Sequence, residues 1–484
     1  MIKDELIYQI RQRFQFPPTA GQENAIEAFA SFLTDRDAHV AMILRGSAGT
    51  GKTSLAGSMV RTLVDMKQKV MLLAPTGRAA KVFSLNSGHP AYTIHRKIYR
   101  QKTFNGEGGS FNLNENLYAD TLFMVDECSM ISNEGFSDLS FGSGRLLDDL
   151  VRFVYQGRNC RMILIGDKAQ LPPVGEEESP ALSAEMLRGY GLKVYQCDLT
   201  EIVRQREQSG ILYNATVIRK MITHDEATQL PRIRFAGFAD ISMVPGNELI
   251  ESLSSSYTEV GMDETMVITR SNKRANIYNQ GIRRTVLDRE GELTSGDMLM
   301  VVKNNYHFIP DDQEDRHGLT FIANGDRAIV ERVRNVRELY GFHFADVGMR
   351  FPDYDNYELQ VTVIMETLNS EAPALTREQN ERLFQLVMED YADLPLKADR
   401  LKKVKEDAYY NAVQIKYAYA VTCHKAQGGQ WAHVYLDQGY MTDEMLTPDY
   451  IHWLYTAFTR ATEHLYLVNW PGTQTDSQPR SMEE

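Results

Sequence analysis

The strongest constraint on this chain is one short run of residues and what surrounds it. Gly46-Ser-Ala-Gly-Thr-Gly-Lys-Thr53 fits the pattern G-x-x-x-x-G-K-[ST], follows an apolar stretch at residues 40–44, and opens a helical stripe of Leu55, Met59 and Leu63. A strand, a glycine-rich loop and a helix in that order call for a parallel sheet with the loop at a strand's carboxyl end. Backbone N–H groups of such a loop wrap phosphate oxygens, and the helix N-terminus adds partial positive charge. Gly46, Gly49, Thr50, Gly51, Lys52, Thr53 and Ser54 are therefore expected to bind a nucleoside triphosphate. Lys52 is placed to reach the β- and γ-phosphates, and the Thr53 hydroxyl to hold Mg²⁺.

Other apolar runs, at residues 70–73, 122–125 and 162–165, alternate with helical stretches, as in a parallel sheet buried on both faces. Before them, a helix puts Ile2, Leu6, Ile10 and Phe14 on one face and stops at Pro17-Pro18. A second αβ region begins after about residue 195, with a strand at 266–269 and a helix at 275–282. Between about 296 and 375 the chain turns β-rich, with strands expected at 298–302, 328–330 and 359–364. Thr376 and Gln379 form a capping-box signature ahead of a helix with Leu383, Phe384, Val387, Met388 and Tyr391 on one face. Residues 397–405 read as a basic, solvated helix surface, and strands resume at 418–422 and 465–468.

Two further strand ends carry chemistry. The run at 122–125 ends in Asp126-Glu127, with Asp126 placed to hold Mg²⁺ and Glu127 a candidate base for the attacking water. The run at 162–165 exits through Gly166-Asp167 and Gln170-Leu-Pro-Pro173, where Gln170 is either a γ-phosphate sensor or part of a proline-stiffened loop.

Composition narrows the class of function. With 65 acidic against 52 basic residues the net charge is −13, which excludes a protein that coats nucleic acid through bulk charge but not a local basic groove. Cys128, Cys160, Cys197 and Cys423 have no metal-ligand spacing and read as reduced thiols of a cytoplasmic protein. No stretch approaches the roughly 18 apolar residues of a membrane span, and the acidic start, Asp4-Glu5, is unlike a signal peptide.

The ordered motifs resemble superfamily 1 helicases, specifically the RecD/Dda-like branch (superfamily 1B, with Pif-type relatives). Besides the phosphate loop, the likeness runs through Phe16–Gln22, Ala74–Lys81 (with Pro75 and Thr76), Thr93-Ile-His95, Val125–Met130 and Gly166–Val174. It continues through Leu199–Gln205, Tyr419–Gly428 and Tyr455–Ala461, about nine-tenths of the chain in family order. The resemblance implies two RecA-like parallel-sheet domains, a small hairpin insert and a β-rich, SH3-like insert. It makes ATP the nucleotide, Gln22 an adenine contact, and Arg204 and Arg460 arginine fingers reaching the γ-phosphate from the second domain. Pro75, Thr76, Thr93, His95, Thr422, His424 and Lys425 fall on a single-stranded DNA track, with movement from 5′ to 3′.

The implied domains are residues 1–190 (1A, with a 97–121 pin insert), 191–295 with 412–470 (2A), and 296–411 (2B), followed by a disordered tail at 471–484. In the pin, Phe104 or Phe111 is expected to stack on the junction base pair; a surface hairpin without that role is the other reading. The expected function is an ATP-dependent, monomeric DNA helicase acting at single-strand/duplex junctions. Alternatives are a nucleic-acid-stimulated ATPase that remodels protein–DNA or RNA complexes, and the motor subunit of a larger recombination or nuclease complex.

Overall fold

The computed structural model describes residues 2–14, 16–101, 111–135, 142–201, 209–223, 229–305, 307–309 and 321–476. Its first half is built on a six-stranded parallel sheet. The strand order is Ala91–Thr93, Lys69–Ala74, Thr121–Val125, Arg161–Gly166, Val40–Gly46 and Lys193–Leu199. The central strands are buried on both faces, which is why the sequence shows apolar runs rather than alternation. Leu6 and Ile10 of helix Ile2–Arg13, and Phe14 just past its end, join one side of this core, while Ile2 at the helix start is exposed.

A five-stranded parallel sheet organises the second half, in the order Ala420–Thr422, Thr265–Thr269, Trp431–Asp437, Ala461–Val468 and Ile241–Val244. Inserted in it is a closed barrel of Met298–Val301, Arg327–Leu339, Phe342–Phe351, Tyr357–Ile364 and Val413–Tyr417. Two parallel-sheet bodies with a β-rich insert are the fold class expected from the sequence.

Three boundaries move. Strand Lys193–Leu199 pairs with Val40–Gly46, so the first body extends past residue 190 to Leu199. Val413–Tyr417 closes the barrel against Met298–Val301, so the insert does not end at 411. Barrel and second sheet also share one apolar core, including Met298, Val330 and Val361 beside Val267, Val434 and Leu465. At 471–476 the expected tail is anchored instead: Thr475 bridges to Ile233 and Gln474 is buried. Residues 477–484 lie outside the described residues.

At the barrel's root, Asp297 is fully buried and accepts hydrogen bonds from Arg283, Arg289, Tyr419 and the Thr294 N–H. Burial opposes its charge, but those donors outweigh it and hold the carboxyl below its usual range. The capping box forms as read, with Thr376 and Gln379 bonded reciprocally at the start of helix Arg377–Asp390. Leu383, Val387 and Val404 from this helix and Lys397–Glu406 pack on Phe342, Phe344 and Ile364 of the barrel. Residues 97–121 contain a hairpin, Tyr99–Gln101 paired antiparallel with Phe111–Leu113; Phe104 lies outside the described residues, as does the side chain of Phe111.

Candidate functional site

The strand order of the first sheet sorts its carboxyl ends into two groups. Val40–Gly46, Arg161–Gly166 and Thr121–Val125 are consecutive neighbours, so their exits assemble the phosphate loop, Asp167–Leu171 and Asp126-Glu127. Lys69–Ala74 and Ala91–Thr93 continue the same edge, placing Thr76 and Thr93 beside one another but away from the loop. Three of the expected features thus fall in one place, and the track threonines in a second.

Gly49 and Gly51 adopt φ of 78° and 80°, a left-handed backbone that other residues rarely take, and this turn aims the loop into helix Lys52–Asp65. Thr50 braces the loop by donating from its hydroxyl to the Ser47 carbonyl at 2.8 Å. Lys52 Nζ lies on the loop, donating to the carbonyls of Gly46 and Ser47. Thr53 and Ser54 occupy the first helical turn, Thr53 half-buried and Ser54 exposed.

The Gln22 side chain is 1% exposed, donates to the Thr50 carbonyl at 2.9 Å and accepts from the Thr19 N–H at 3.0 Å. Through these bonds Gln22 ties the phosphate loop to a helix N-terminus, using one of its two amide hydrogens and one lone pair of its carbonyl oxygen.

Burial, with the neighbouring Glu127 charge, pushes the Asp126 carboxyl up to about 7, while Lys52 pulls it down. Glu127 sits at φ 53°, an uncommon conformation for a non-glycine residue and one that turns the chain sharply after the strand. The donor set suits Mg²⁺: the half-buried Asp126 carboxylate at a strand end and the Thr53 hydroxyl in the first turn of the helix after the loop. No cluster of three or more His, Cys, Asp or Glu side chains able to hold a metal occurs among the described residues. Mg²⁺ ordinarily takes few protein ligands and completes its shell with water and phosphate oxygens.

The two sheets meet at this site. Helix Pro448–Phe458 presents His452, Tyr455 and Thr456 on one face, as i, i+3, i+4 spacing dictates. His452 Nδ1 lies 3.0 Å from the Ala169 carbonyl, Thr456 accepts from the Leu171 N–H at 2.8 Å, and Gln427 donates to the Leu171 carbonyl at 2.8 Å. Tyr455 donates to Asp167 at 2.6 Å and accepts from the Ala48 N–H of the phosphate loop at 3.0 Å. Gln170 is buried in the same seam, with Ser129 3.4 Å from its Oε1. The chain segment carrying Gln170 is therefore gripped by the second body on one side and by the Asp126 segment on the other.

Arg460 was expected at the γ-phosphate. It is instead 2% exposed, with Nε on the Thr456 carbonyl and its two terminal nitrogens on the Gly429 carbonyl and Thr459 hydroxyl. Those bonds all lie within the second body. Among the described residues, Arg219 crosses to the loop, its guanidinium donating to Ser47 Oγ at 2.9 Å. Arg204 lies outside the described residues.

Along the expected track, Thr76 and Thr93 are helix N-caps whose hydroxyls accept from Ala79 and Arg96 N–H groups. That use of the oxygen leaves each hydroxyl hydrogen able to donate to a phosphate. Pro75 is half-buried between strand and cap. Burial holds His95 neutral, with its pKa lowered to about 4. From the second body, Thr422 stands at the N-cap position, without a side-chain capping bond, of the short helix Cys423–Ala426 that carries exposed His424 and half-buried Lys425. Gly428 (φ 72°) brings this segment so close to the first body that a Cβ would lie 3.1 Å from both Thr76 Oγ1 and Ala79 Cβ. The structure thereby joins Thr76 and the 422–428 segment, 346 positions apart in sequence between Thr76 and Thr422.

Sequence reasoning missed Arg219 and the contacts of His452, Tyr455 and Thr456. The last three had a readable signal, polar residues at helical spacing inside an otherwise apolar run. Arg219 had none.

Residues 18–230 match a family model described as an AAA domain, and residues 417–468 one described as a UvrD-like helicase C-terminal domain. The chain is 27% identical over 290 residues to the ATP-dependent DNA helicase Dda of Enterobacteria phage T4, covering 58% of this chain and 60% of that protein. It is 26% identical over 333 residues to the ATP-dependent RecD2 DNA helicase of Deinococcus radiodurans, covering 67% of this chain and 42% of that one. The alignments thus span less than two thirds of either relative's length. A solved structure of Pif1 helicase from Bacteroides with ADP-AlF3 and ssDNA covers 96% of the chain at 14% identity, with a TM-score of 0.47.

Proposed function

We propose that this chain is a DNA helicase of the RecD/Dda-like branch of superfamily 1B, one that hydrolyses ATP, moves 5′ to 3′ along single-stranded DNA and separates duplex ahead of it. The observation that carries this reading is the paired seam between the two sheets. At one end of it the second body touches the phosphate loop through Tyr455 and Arg219; at the other Gly428 touches Thr76. A change of nucleotide at the first end therefore bears on the geometry of the second, which is what a translocating motor requires.

In this reading Lys52 and the loop N–H groups hold the phosphates, and Glu127 orients the attacking water. Asp126 and Thr53 hold Mg²⁺, which offsets charge on the β- and γ-phosphate oxygens. Thr76, Thr93 and Thr422 donate to DNA phosphates, with His95, His424 and Lys425 beside them, and none of these groups reads base sequence. Phe104 and Phe111, both within the 97–121 insert, are proposed to meet the junction base pair. Direction rests on the family alone. The protein is proposed to act as a monomer in the cytoplasm; no described helix is long and apolar enough to cross a membrane.

Strand displacement on 5′- and 3′-tailed duplexes tests the proposal. The expected result is displacement of the 5′-tailed substrate only, with Lys52→Ala reducing it by at least about 100-fold. Full unwinding by Lys52→Ala overturns the mechanism. ATP hydrolysis without displacement on either tail favours a remodelling ATPase.

A further inference from the structure

Arg219 lies on helix Gly210–Thr223, which packs against helix Pro448–Phe458 in the second body. The pair presents two side chains to one short stretch of the phosphate loop: Arg219 to Ser47 Oγ at 2.9 Å and Tyr455 to the Ala48 N–H at 3.0 Å. Arg219 is close enough to Tyr455 for its charge to act on the phenol, opposing the effects of burial and Asp167. Ser47 and Asp167 are both buried, so this is an enclosed site rather than a chance surface contact.

The chemistry of Arg219 is mismatched to its partner. A guanidinium has five N–H donors in a planar fork suited to anionic oxygens, whereas a serine hydroxyl is a neutral acceptor that uses one of them. Asp167, the adjacent carboxylate, is already bonded to Tyr455 and the Ala169 N–H. Arg460, by contrast, turns one N–H from each of its three nitrogens onto carbonyls and a hydroxyl of its own body. Of these two arginines, Arg219 is the one that already reaches the loop.

We propose that Arg219 is a nucleotide-sensing charge of the second body: when ATP fills the loop, its guanidinium passes from Ser47 to the terminal phosphate. The inference rests on the ATPase reading above. Because Arg219 and Tyr455 sit on packed helices, the move pulls on the Ala169 and Leu171 contacts made by His452 and Thr456, and so on the seam. Loss of the terminal phosphate removes the anion and returns Arg219 to Ser47. No bond forms or breaks at Arg219; it supplies charge to the phosphate oxygens.

The full-length chain and Arg219→Ala, Arg219→Gln and Arg219→Lys variants are compared in two measurements. Equilibrium binding of a fluorescent ADP and a fluorescent non-hydrolysable ATP analogue reads the sensing, and ATPase with and without single-stranded DNA reads its use. Arg219→Ala is expected to weaken the ATP analogue at least about tenfold and leave ADP within about twofold, with kcat falling about 100-fold. Arg219→Lys, which keeps the charge but not the fork, should recover part of both losses. Equal weakening of both nucleotides overturns the proposal, because it marks Arg219 as a brace for the loop. Unchanged kcat and ATP-analogue affinity overturn it too. Arg219→Gln carries the same test if the alanine variant does not fold. A wild-type chain with no ATPase would instead sink the broader functional reading, which keeps the two failures distinct.

Discussion

Lys425 shows how one residue's surroundings set a condition on function. Burial, and then the nearby Lys416 charge, lower its pKa to about 8. Lys416 is itself lowered to about 8 by burial and donates to the Ser370 carbonyl. If Lys425 holds a DNA phosphate, the phosphate favours its charged form, so its pKa is higher in the complex than in the free protein. Affinity is then complete below about pH 8 and falls as pH rises through it, by at most about tenfold per unit. Single-strand binding measured between pH 7 and 9 should show this loss, and Lys425→Arg, charged throughout, should flatten it. An identical slope in the arginine variant removes Lys425 from the track. His95 contributes no such slope, because burial keeps its imidazole neutral well below that range.

Among the elements, the turn between strands Phe342–Phe351 and Tyr357–Ile364 has a specific mate. It rests on the start of helix Gly77–Ser87, where a Cβ on Gly77 would lie 2.4 Å from the Tyr354 hydroxyl. Arg78 meets Asp353 at 3.4 Å, Lys81 donates to the Pro352 carbonyl, and Tyr354 donates to Asp326 at 2.9 Å. This contact ties the barrel to the element carrying Thr76. Gly77→Ala should cost ~1–3 kcal/mol by overpacking. In a Tyr354→Ala background the same change should cost less than about 0.5 kcal/mol. Thermal unfolding of the four proteins measures the cycle, and simple additivity would mean that the two residues do not meet. A smaller effect belongs to the barrel's helical cap, where Thr376→Ala should lower stability by ~1 kcal/mol through loss of the capping box.

Across the whole molecule, Tyr455 joins the halves with one hydroxyl. Tyr455→Phe leaves Asp167 without its phenol donor and the Ala48 N–H without its acceptor, a cost of ~1–3 kcal/mol. It should also reduce the stimulation of ATP hydrolysis by single-stranded DNA, read as the ratio of rates with and without the strand. An unchanged ratio would remove helix Pro448–Phe458 from the coupling route. The net charge of −13 bears on the same cycle. A motor must release its track at each step, and the residues proposed to line the track are mostly hydroxyls and weakly charged groups. Single-strand affinity should fall with salt at a log–log slope no steeper than about −3, since each neutralised phosphate contributes about −0.7. A steeper slope would reveal a basic groove beyond these residues.

Local chemistry was legible before any coordinates. A phosphate loop, buried strands and the Thr376 capping box depend on neighbours within a few residues, and spacing records those neighbours directly. The strand Trp431–Asp437 and the barrel strand Phe342–Phe351 were not read, although both are largely buried, because neither was recognised among the apolar runs. Boundaries at 190 and 411 failed for a further reason: Lys193–Leu199 and Val413–Tyr417 belong where their hydrogen-bond partners lie, and those partners are remote in sequence. The site divides the same way. Lys52, Asp126 and Glu127 announce themselves by pattern, and their strands' adjacency brings them together. The crossings of Arg219 to Ser47 and of Tyr455 to Asp167 and Ala48 are outcomes of packing between segments far apart in the chain. A side chain's chemical capacity is local, so residue type and spacing express it; the partner that uses that capacity is chosen by how the whole chain folds.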